Sequence, residues 1–243
     1  MNTTSPPATL PQVLRQAARH HGERAAIVDG ALTLSYAALV AQAERVARGL
    51  VAWGVRAGER IAIWAPNRAE WIVAACGAHM AGAVLVPINT RMKGPEAADI
   101  LGRSGARVLF CIGEFLDQYF PALLDGLELP ALEHIVVIGA LAPRAAREID
   151  WTAFQRVGDA VDAARVAERE AALRSDSTAD LMFTSGTTGR PKGVMSGHGP
   201  TIRAFGEWAR VVGLGEGDRY LVVNPFFHSF GYKAGWVAAF LQG

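Results

Sequence analysis

The chain has 243 residues, 51% of them hydrophobic, enough for one large or two small domains around a substantial core. Its 24 basic and 23 acidic side chains leave a net charge of +1, which gives no electrostatic reason to expect nucleic acid or an anionic membrane as partner. Cys76 and Cys111 lie in apolar segments without metal-type spacing and read as buried free thiols of a reducing, cytoplasmic compartment.

Residues 1–9 lack a basic patch followed by an apolar stretch and read as a disordered lead, not a secretory signal. Val13 to His20 predicts a short helix ended by Gly22. Ala25–Val28 and Leu32–Leu34 flank Asp29-Gly30, a hairpin signal. Ser35 is a suitable N-cap. Tyr36, Leu39, Val40, Ala43, Val46, Ala47, Leu50 and Val51 then fall at helical spacing, and Gly54 ends that helix. Arg60–Trp64 reads as a strand.

Trp71 to Ile88 is an 18-residue stretch without a formal charge, the length of a membrane span. Gly77, His79, Gly82 and Pro87 interrupt it, and Asn67 with Glu70 three residues later forms a capping-box pattern. The expectation is a helix capped by Asn67 and reaching about Ala81, a turn at Gly82, and a buried strand at Ala83–Val86, with no integral membrane span. Pro95 starts a helix that reaches Ser104. Val108–Cys111 is a strand, a helix is expected near Phe115–Leu124, and Ile135–Ile138 is a strand. Strands alternating with helices imply an α/β layered architecture with parallel pairing.

From residue 140 to about 177 the strand signals vanish. Val161–Leu173 reads as a surface helix and Ser175–Thr178 as a loop. The expected division is a first α/β subdomain over 10–175 and the start of a second over 176–243. In the latter, Asp180–Thr184 is a strand, Pro200–Val212 a helix and Arg219–Asn224 a strand. This last strand would deliver Pro225-Phe226-Phe227-His228-Ser229-Phe230-Gly231 at its carboxyl end, where α/β sheets favour ligands.

Directly after the apolar run Leu181-Met182-Phe183 stands the decamer TSGTTGRPKG, Thr184 to Gly193. Glycines let a ligand come close to the backbone, and successive N–H groups in such a turn favour anions. Four hydroxyls and the Lys192 ammonium add side-chain donors. This is a loop shaped for a polyphosphate. It is not the G-x-x-x-x-G-K-S/T loop, because Pro191 precedes Lys192 and Gly193 follows it. No G-x-G-x-x-G follows an early strand either.

The decamer resembles the phosphate loop of the adenylate-forming superfamily of acyl-CoA synthetases, peptide-synthetase adenylation domains and luciferases. Residues 225–231 look like that family's aromatic-histidine signature. Asn67, Glu70, Gly82-Ala83, Pro87, Asn89 and Arg91 sit where such ligases carry a recurring N-terminal pattern. The resemblance covers the chain from about Leu10 onward. It implies the layered α/β/α subdomains of an acetyl-CoA-synthetase-like N-terminal domain, incomplete at the C-terminus.

The resemblance also implies a two-step reaction. A carboxylate attacks the α-phosphorus of ATP, and a thiol, usually coenzyme A, then displaces AMP. The backbone of Ser185, Gly186, Thr187, Thr188 and Gly189 and the hydroxyls of Thr187 and Thr188 would hold the β- and γ-phosphates. Thr184 matches a position near Mg²⁺; a strand-end threonine bonded to backbone is the alternative. Lys192 would add a positive charge there, or else be a solvated loop lysine. His228 would orient the carboxylate or the adenylate phosphate, unless it is a structural histidine. Phe227 and Gly231 would contact the acyl group. Phe226 and Phe230 are equally well explained by the pocket or by the core. His198 follows Ser196-Gly197, where the family's usual text has the histidine after a single small residue, and is assigned no role.

Relatives are about twice as long, and the resemblance implies a Tyr-Gly-x-Thr-Glu type segment, a ribose-binding aspartate and a C-terminal domain with a catalytic lysine, none of which is found here. The expectation is the front part of a ligase, weak in ATP binding and unable to form a thioester alone. Asn224 to Gly235, with Asp218-Arg219-Tyr220-Leu221 before it, looks especially like ligases that activate bicyclic propionates in steroid-ring degradation. Fatty and aromatic acids stay open, as do an amino-acid adenylation domain loading a carrier protein and a non-catalytic nucleotide-binding module.

Overall fold

The computed structural model describes residues 6–139, 142–184 and 190–243. Helix α1 (Leu10–His21) precedes a hairpin of β1 (Ala25–Asp29) and β2 (Leu32–Ser35), turned at Gly30. The Ser35 hydroxyl accepts the Ala38 N–H at 3.2 Å and so caps α2 (Tyr36–Ala52), as its position predicts. Next come β3 (Arg60–Trp64), α3 (Ala69–Met80), β4 (Val84–Pro87), α4 (Gly94–Ser104) and β5 (Val108–Ile112).

These strands belong to a seven-stranded sheet, completed by β8 (His134–Ile138), β9 (Glu148–Asp150), β10 (Thr178–Thr184) and β11 (Lys192–Gly197). Its order is β11-β10-β4-β3-β5-β8-β9, parallel except for the antiparallel β10–β11 pair. The α/β class and the parallel pairing expected from the alternation are both present. β10, beyond residue 175, joins β4, before it, through Asp180 and Leu85, so one sheet runs through both expected segments.

Both faces of the sheet are covered. Phe110 of β5 meets Phe154 of α5 (Trp151–Val157) with ring centroids 5.3 Å apart. Trp64 is in register with Cys111, on the opposite side from Phe110, and meets Phe120 at 4.8 Å. The central strands β3, β4, β5 and β8 are buried on both faces and therefore read as continuous apolar runs.

Helix α3 explains the long uncharged stretch. Trp71 to Met80 are all buried, and a helix apolar all round belongs inside a core. It crosses α2 closely: a Cβ on Gly77 would stand 2.5 Å from Val46 and 2.7 Å from the Ala43 carbonyl. Among the described residues no helix is long and apolar enough to cross a membrane. Cys76 and Cys111 are free and buried, and burial pushes both thiols well above their ordinary range.

Three expectations fail. The helix near Phe115–Leu124 is a small hairpin, β6 (Glu114–Phe115) and β7 (Gln118–Tyr119), followed by a 3₁₀ turn over Phe120–Leu124. Leu116 and Asp117 take φ of 51° and 57°, the left-handed pair of a tight hairpin turn, and Pro121 suits only a first helical turn. Arg219–Asn224 pairs with no strand among the described residues, and Leu221 and Val223 are exposed. A run of aromatic and β-branched residues favours a strand only where a sheet edge is within reach. Asn67 does not cap α3, as detailed below.

Between these, α6 (Ala163–Ala172) is capped by Asp162. After β11, α7 (His198–Val212) leads by way of the unpaired segment to the short α8 (Ser229–Gly231). A π-helical turn over Tyr232–Val237 and α9 (Ala238–Gln242) follow. Tyr232 to Ala238 are buried.

Candidate active site

β10 and β11 form a hairpin whose mouth is framed by Thr184 and Lys192, directly opposite in register and both exposed. Ser185, Gly186, Thr187, Thr188 and Gly189, the proposed phosphate cradle, lie outside the described residues. The Thr184 hydroxyl donates to the Lys192 carbonyl over 3.5 Å, long enough to be exchanged for a better partner. Arg190 pairs with Asp99 of α4. Burial acts to raise the Asp99 carboxyl, but Arg190 and Arg103 hold it below the usual range.

His228 stands just before α8 and is exposed. Its Nδ1 accepts the Phe230 N–H at 3.1 Å. An accepting ring nitrogen carries no proton, so the neutral ring holds its proton on Nε2 and offers a donor outward. That suits an anion such as a carboxylate or phosphate.

The neighbouring residues divide. Phe226 is buried edge-on against Trp71 of α3 at 5.5 Å and belongs to the core. Phe227 is half-buried. Phe230 is exposed and meets Trp208 of α7 edge-on at 5.8 Å. Gly231 is buried, and a Cβ there would run into the carbonyls of Asn224 and Pro225. Close backbone approach accounts for this glycine without a ligand.

Asn67 holds this segment in place. Its Oδ1 accepts the Phe226 N–H at 2.7 Å and its Nδ2 donates to the Asn224 carbonyl at 2.9 Å. The expected capping box is therefore absent: Arg68 is the N-cap residue of α3 and Glu70 pairs with Arg68. Asp29, from the β1–β2 hairpin, accepts the Ala69 N–H at 2.9 Å instead. A carboxylate at a helix N-terminus is favoured by both the free N–H and the macrodipole.

Two buried polar groups went unread in the sequence. Lys233, on the π-helical turn, donates to Asp180 Oδ1 of β10 at 2.9 Å and to Ser196 Oγ of β11 at 2.8 Å. Asp180 is fully buried; desolvation pushes its carboxyl up, and the Lys233 ammonium opposes this. The available signal was one lone charge inside each of two apolar runs, Ala179–Phe183 and Phe230–Val237. Beside this pair, His79 Nε2 lies 3.2 Å from the Ala179 carbonyl and 3.3 Å from the Tyr232 hydroxyl. His198 is buried as well, and its Nδ1 accepts the Leu10 N–H at 3.2 Å. Burial drives both histidines to the neutral form, His79 down to about 3 and His198 to about 4.

A model of AMP-binding enzymes matches residues 14–243. The chain belongs to the AMP-binding enzyme family. Its curated relatives include a 7a-methyl-1,5-dioxo-octahydro-1H-inden-4-yl propanoyl:CoA ligase of Rhodococcus jostii, 41% identical over 99% of this chain and 47% of its own length. The Mycobacterium tuberculosis ligase of the same name is 46% identical over 81% of this chain and 38% of its own. Among solved structures, the anthranilate CoA ligase AuaEII in complex with anthranoyl-AMP superposes with a TM-score of 0.81 at 27% identity. That match covers 100% of this chain and 45% of AuaEII. The chain thus spans less than half the length of these AMP-binding relatives.

Proposed function

We propose that this protein is an ATP-dependent carboxylic acid–CoA ligase that forms an acyl-adenylate and then an acyl thioester. The observation that carries this reading is the hairpin mouth itself. A glycine- and hydroxyl-rich loop leaves β10 at Thr184 and returns to β11 at Lys192, in a chain of the AMP-binding family.

Attack of the carboxylate on the α-phosphorus breaks the bond to pyrophosphate, and negative charge grows on the leaving oxygens. Donors fixed beforehand around those oxygens lower the barrier without reorganisation during the step. The loop backbone and the hydroxyls of Thr187 and Thr188 would serve the β- and γ-phosphates, with the Lys192 ammonium at the loop's exit. His228 Nε2–H would orient the attacking carboxylate or the adenylate phosphate. Phe227 would line the acyl side, and Gly231 would hold the segment's shape.

A magnesium ion fits this mouth in one way. Among the described residues no group of three or more His, Cys, Asp or Glu gathers to hold a metal. Thr184 offers one neutral, exposed hydroxyl, which suits an ion that takes its other ligands from phosphate oxygens and water. When bound, such an ion neutralises charge on the triphosphate.

For the substrate we propose a bicyclic propionate, on the strength of 41% and 46% identity to two ligases named for such a group. A medium- or long-chain fatty acid is the next class to test. Residues 176–243 would then begin a second subdomain that carries the nucleotide end of the reaction. The test is a pyrophosphate-release screen over carboxylic acids, with mass detection of the CoA thioester, using protein expressed from its complete reading frame. Thioester formed from a bicyclic propionate supports the whole reading. A fatty acyl product overturns the substrate but keeps the ligase. Pyrophosphate released only with an amino acid and a carrier protein, or never, overturns the function.

A further inference from the structure

We propose that Lys233 is a positioning residue, which locks the histidine-bearing segment to the two strands that carry the phosphate loop. The inference rests on the ligase reading above and deepens it.

The geometry is specific. Asp180 stands on β10 four residues before Thr184, and Ser196 stands on β11 four residues after Lys192. One ammonium, five residues after His228, bonds both, at 2.9 and 2.8 Å. Lys233 therefore ties both arms of the loop hairpin to the turn that follows His228. Its side chain is 7% exposed and that of Asp180 is 0% exposed, so the brace works away from water, where it is little screened by salt. The backbone around it is unusual: the π-helical turn shifts the side chains after Gly231, and Gly235 within it departs from helical angles with ψ of −106°. Such turns recur at functional sites. A buried ion pair is a poor source of net stability compared with well-packed apolar residues, which leaves placement as its use here.

Catalysis depends on setting the carboxylate-orienting group against the phosphate cradle to within a fraction of an ångström. Removing the brace should therefore lower kcat even when the fold survives.

The test compares wild type, Lys233→Met, the double variant Asp180→Asn/Lys233→Met, and Ser196→Ala in the protein expressed from its complete reading frame. Pyrophosphate release and thermal unfolding are both measured. Lys233→Met alone leaves a buried carboxylate unpaired and is expected to lower the melting temperature sharply. The double variant removes both charges and should recover most of that loss. If Lys233 positions the site, the recovered double variant still turns over at least tenfold more slowly, with KM for ATP changed less than threefold. Ser196→Ala, which keeps the ion pair, should slow turnover about threefold at an unchanged melting temperature. Wild-type kcat in both the double variant and Ser196→Ala would make the brace merely structural and overturn the proposal. If the double variant does not fold, Ser196→Ala decides alone. A wild-type protein that releases no pyrophosphate with any acid brings down the ligase reading and this inference with it. An active wild type with unaffected variants brings down only the inference.

Discussion

The Asn67 carboxamide oxygen accepts the Phe226 amide at 2.7 Å across 159 residues of chain, while its nitrogen donates to the Asn224 carbonyl. One planar side chain thus pins both sides of Pro225, three residues before His228. Each such bond contributes about 1 kcal/mol net, and a group left unpaired costs more. Asn67→Ala is expected to lower the melting temperature by roughly 5 °C, at 2–4 °C per kcal/mol for a chain of this size. It should slow pyrophosphate release at least tenfold. Asn67→Asp keeps the acceptor for Phe226 and loses the donor to Asn224, so it should fall between. An Asn67→Ala enzyme with full activity would show that the clamp does not place His228.

Lys192 and His228 are both exposed, so their removal should disturb chemistry and not folding. Lys192→Ala and His228→Ala are each expected to lower kcat/KM for adenylate formation by on the order of 10²-fold, the effect of losing one preorganised donor. The melting temperature of Lys192→Ala should stay within about 1 °C of wild type, since surface changes rarely exceed 0.5 kcal/mol, while His228→Ala, which also loses the bond from the Phe230 N–H, should fall by no more than about 4 °C. Kinetics together with thermal unfolding check this. Normal rates in both variants would remove these residues from the site.

Gly231 has no room for a side chain under the carbonyls of Asn224 and Pro225. Gly231→Ala is therefore expected to push this segment outward, with a loss of about 1–3 kcal/mol as in other overpacked interiors. Denaturant unfolding measures the loss. A variant as stable as wild type would contradict the close packing described.

Stability should depend on pH through His79 and His198. Both are buried and held neutral, at about 3 and about 4, by desolvation above all. In the unfolded chain they take up protons near pH 6.5. Below that value the unfolded state binds more protons, so stability rises with pH between about 4 and 6.5 and is fully present above 6.5. With both histidines contributing, the slope approaches about 2.7 kcal/mol per pH unit near pH 5. Thermal unfolding from pH 5 to 7.5 tests it, and His198→Asn should roughly halve the slope. A melting temperature flat over this range would mean that these histidines titrate normally.

Much of the fold was open to sequence reading for a local reason. The helix behind Ser35 and the strands at Arg60–Trp64, Val108–Cys111 and Ile135–Ile138 are decided by spacing, caps and apolar runs, which act over a few residues. Phe115–Leu124 was misread because the backbone conformation of Leu116 and Asp117 leaves no mark in residue type. Asn67 was misread for the opposite reason: its side chain has the chemistry of a cap, and a distant backbone outcompeted the nearby helix for it.

The chain's own order of residues pointed to the family, to the decamer proposed as a phosphate loop and to the candidates Thr184, Lys192 and His228. A glycine- and hydroxyl-rich decamer carries its chemistry in consecutive positions. Only the folded molecule decided which distant groups pair around and behind those candidates. Asn67 with Asn224 and Phe226, Lys233 with Asp180 and Ser196, and Asp29 with Ala69 are pairings between residues 37 to 159 positions apart. Such partners are selected by burial, which makes an unpaired polar group expensive wherever the chain happens to bring it.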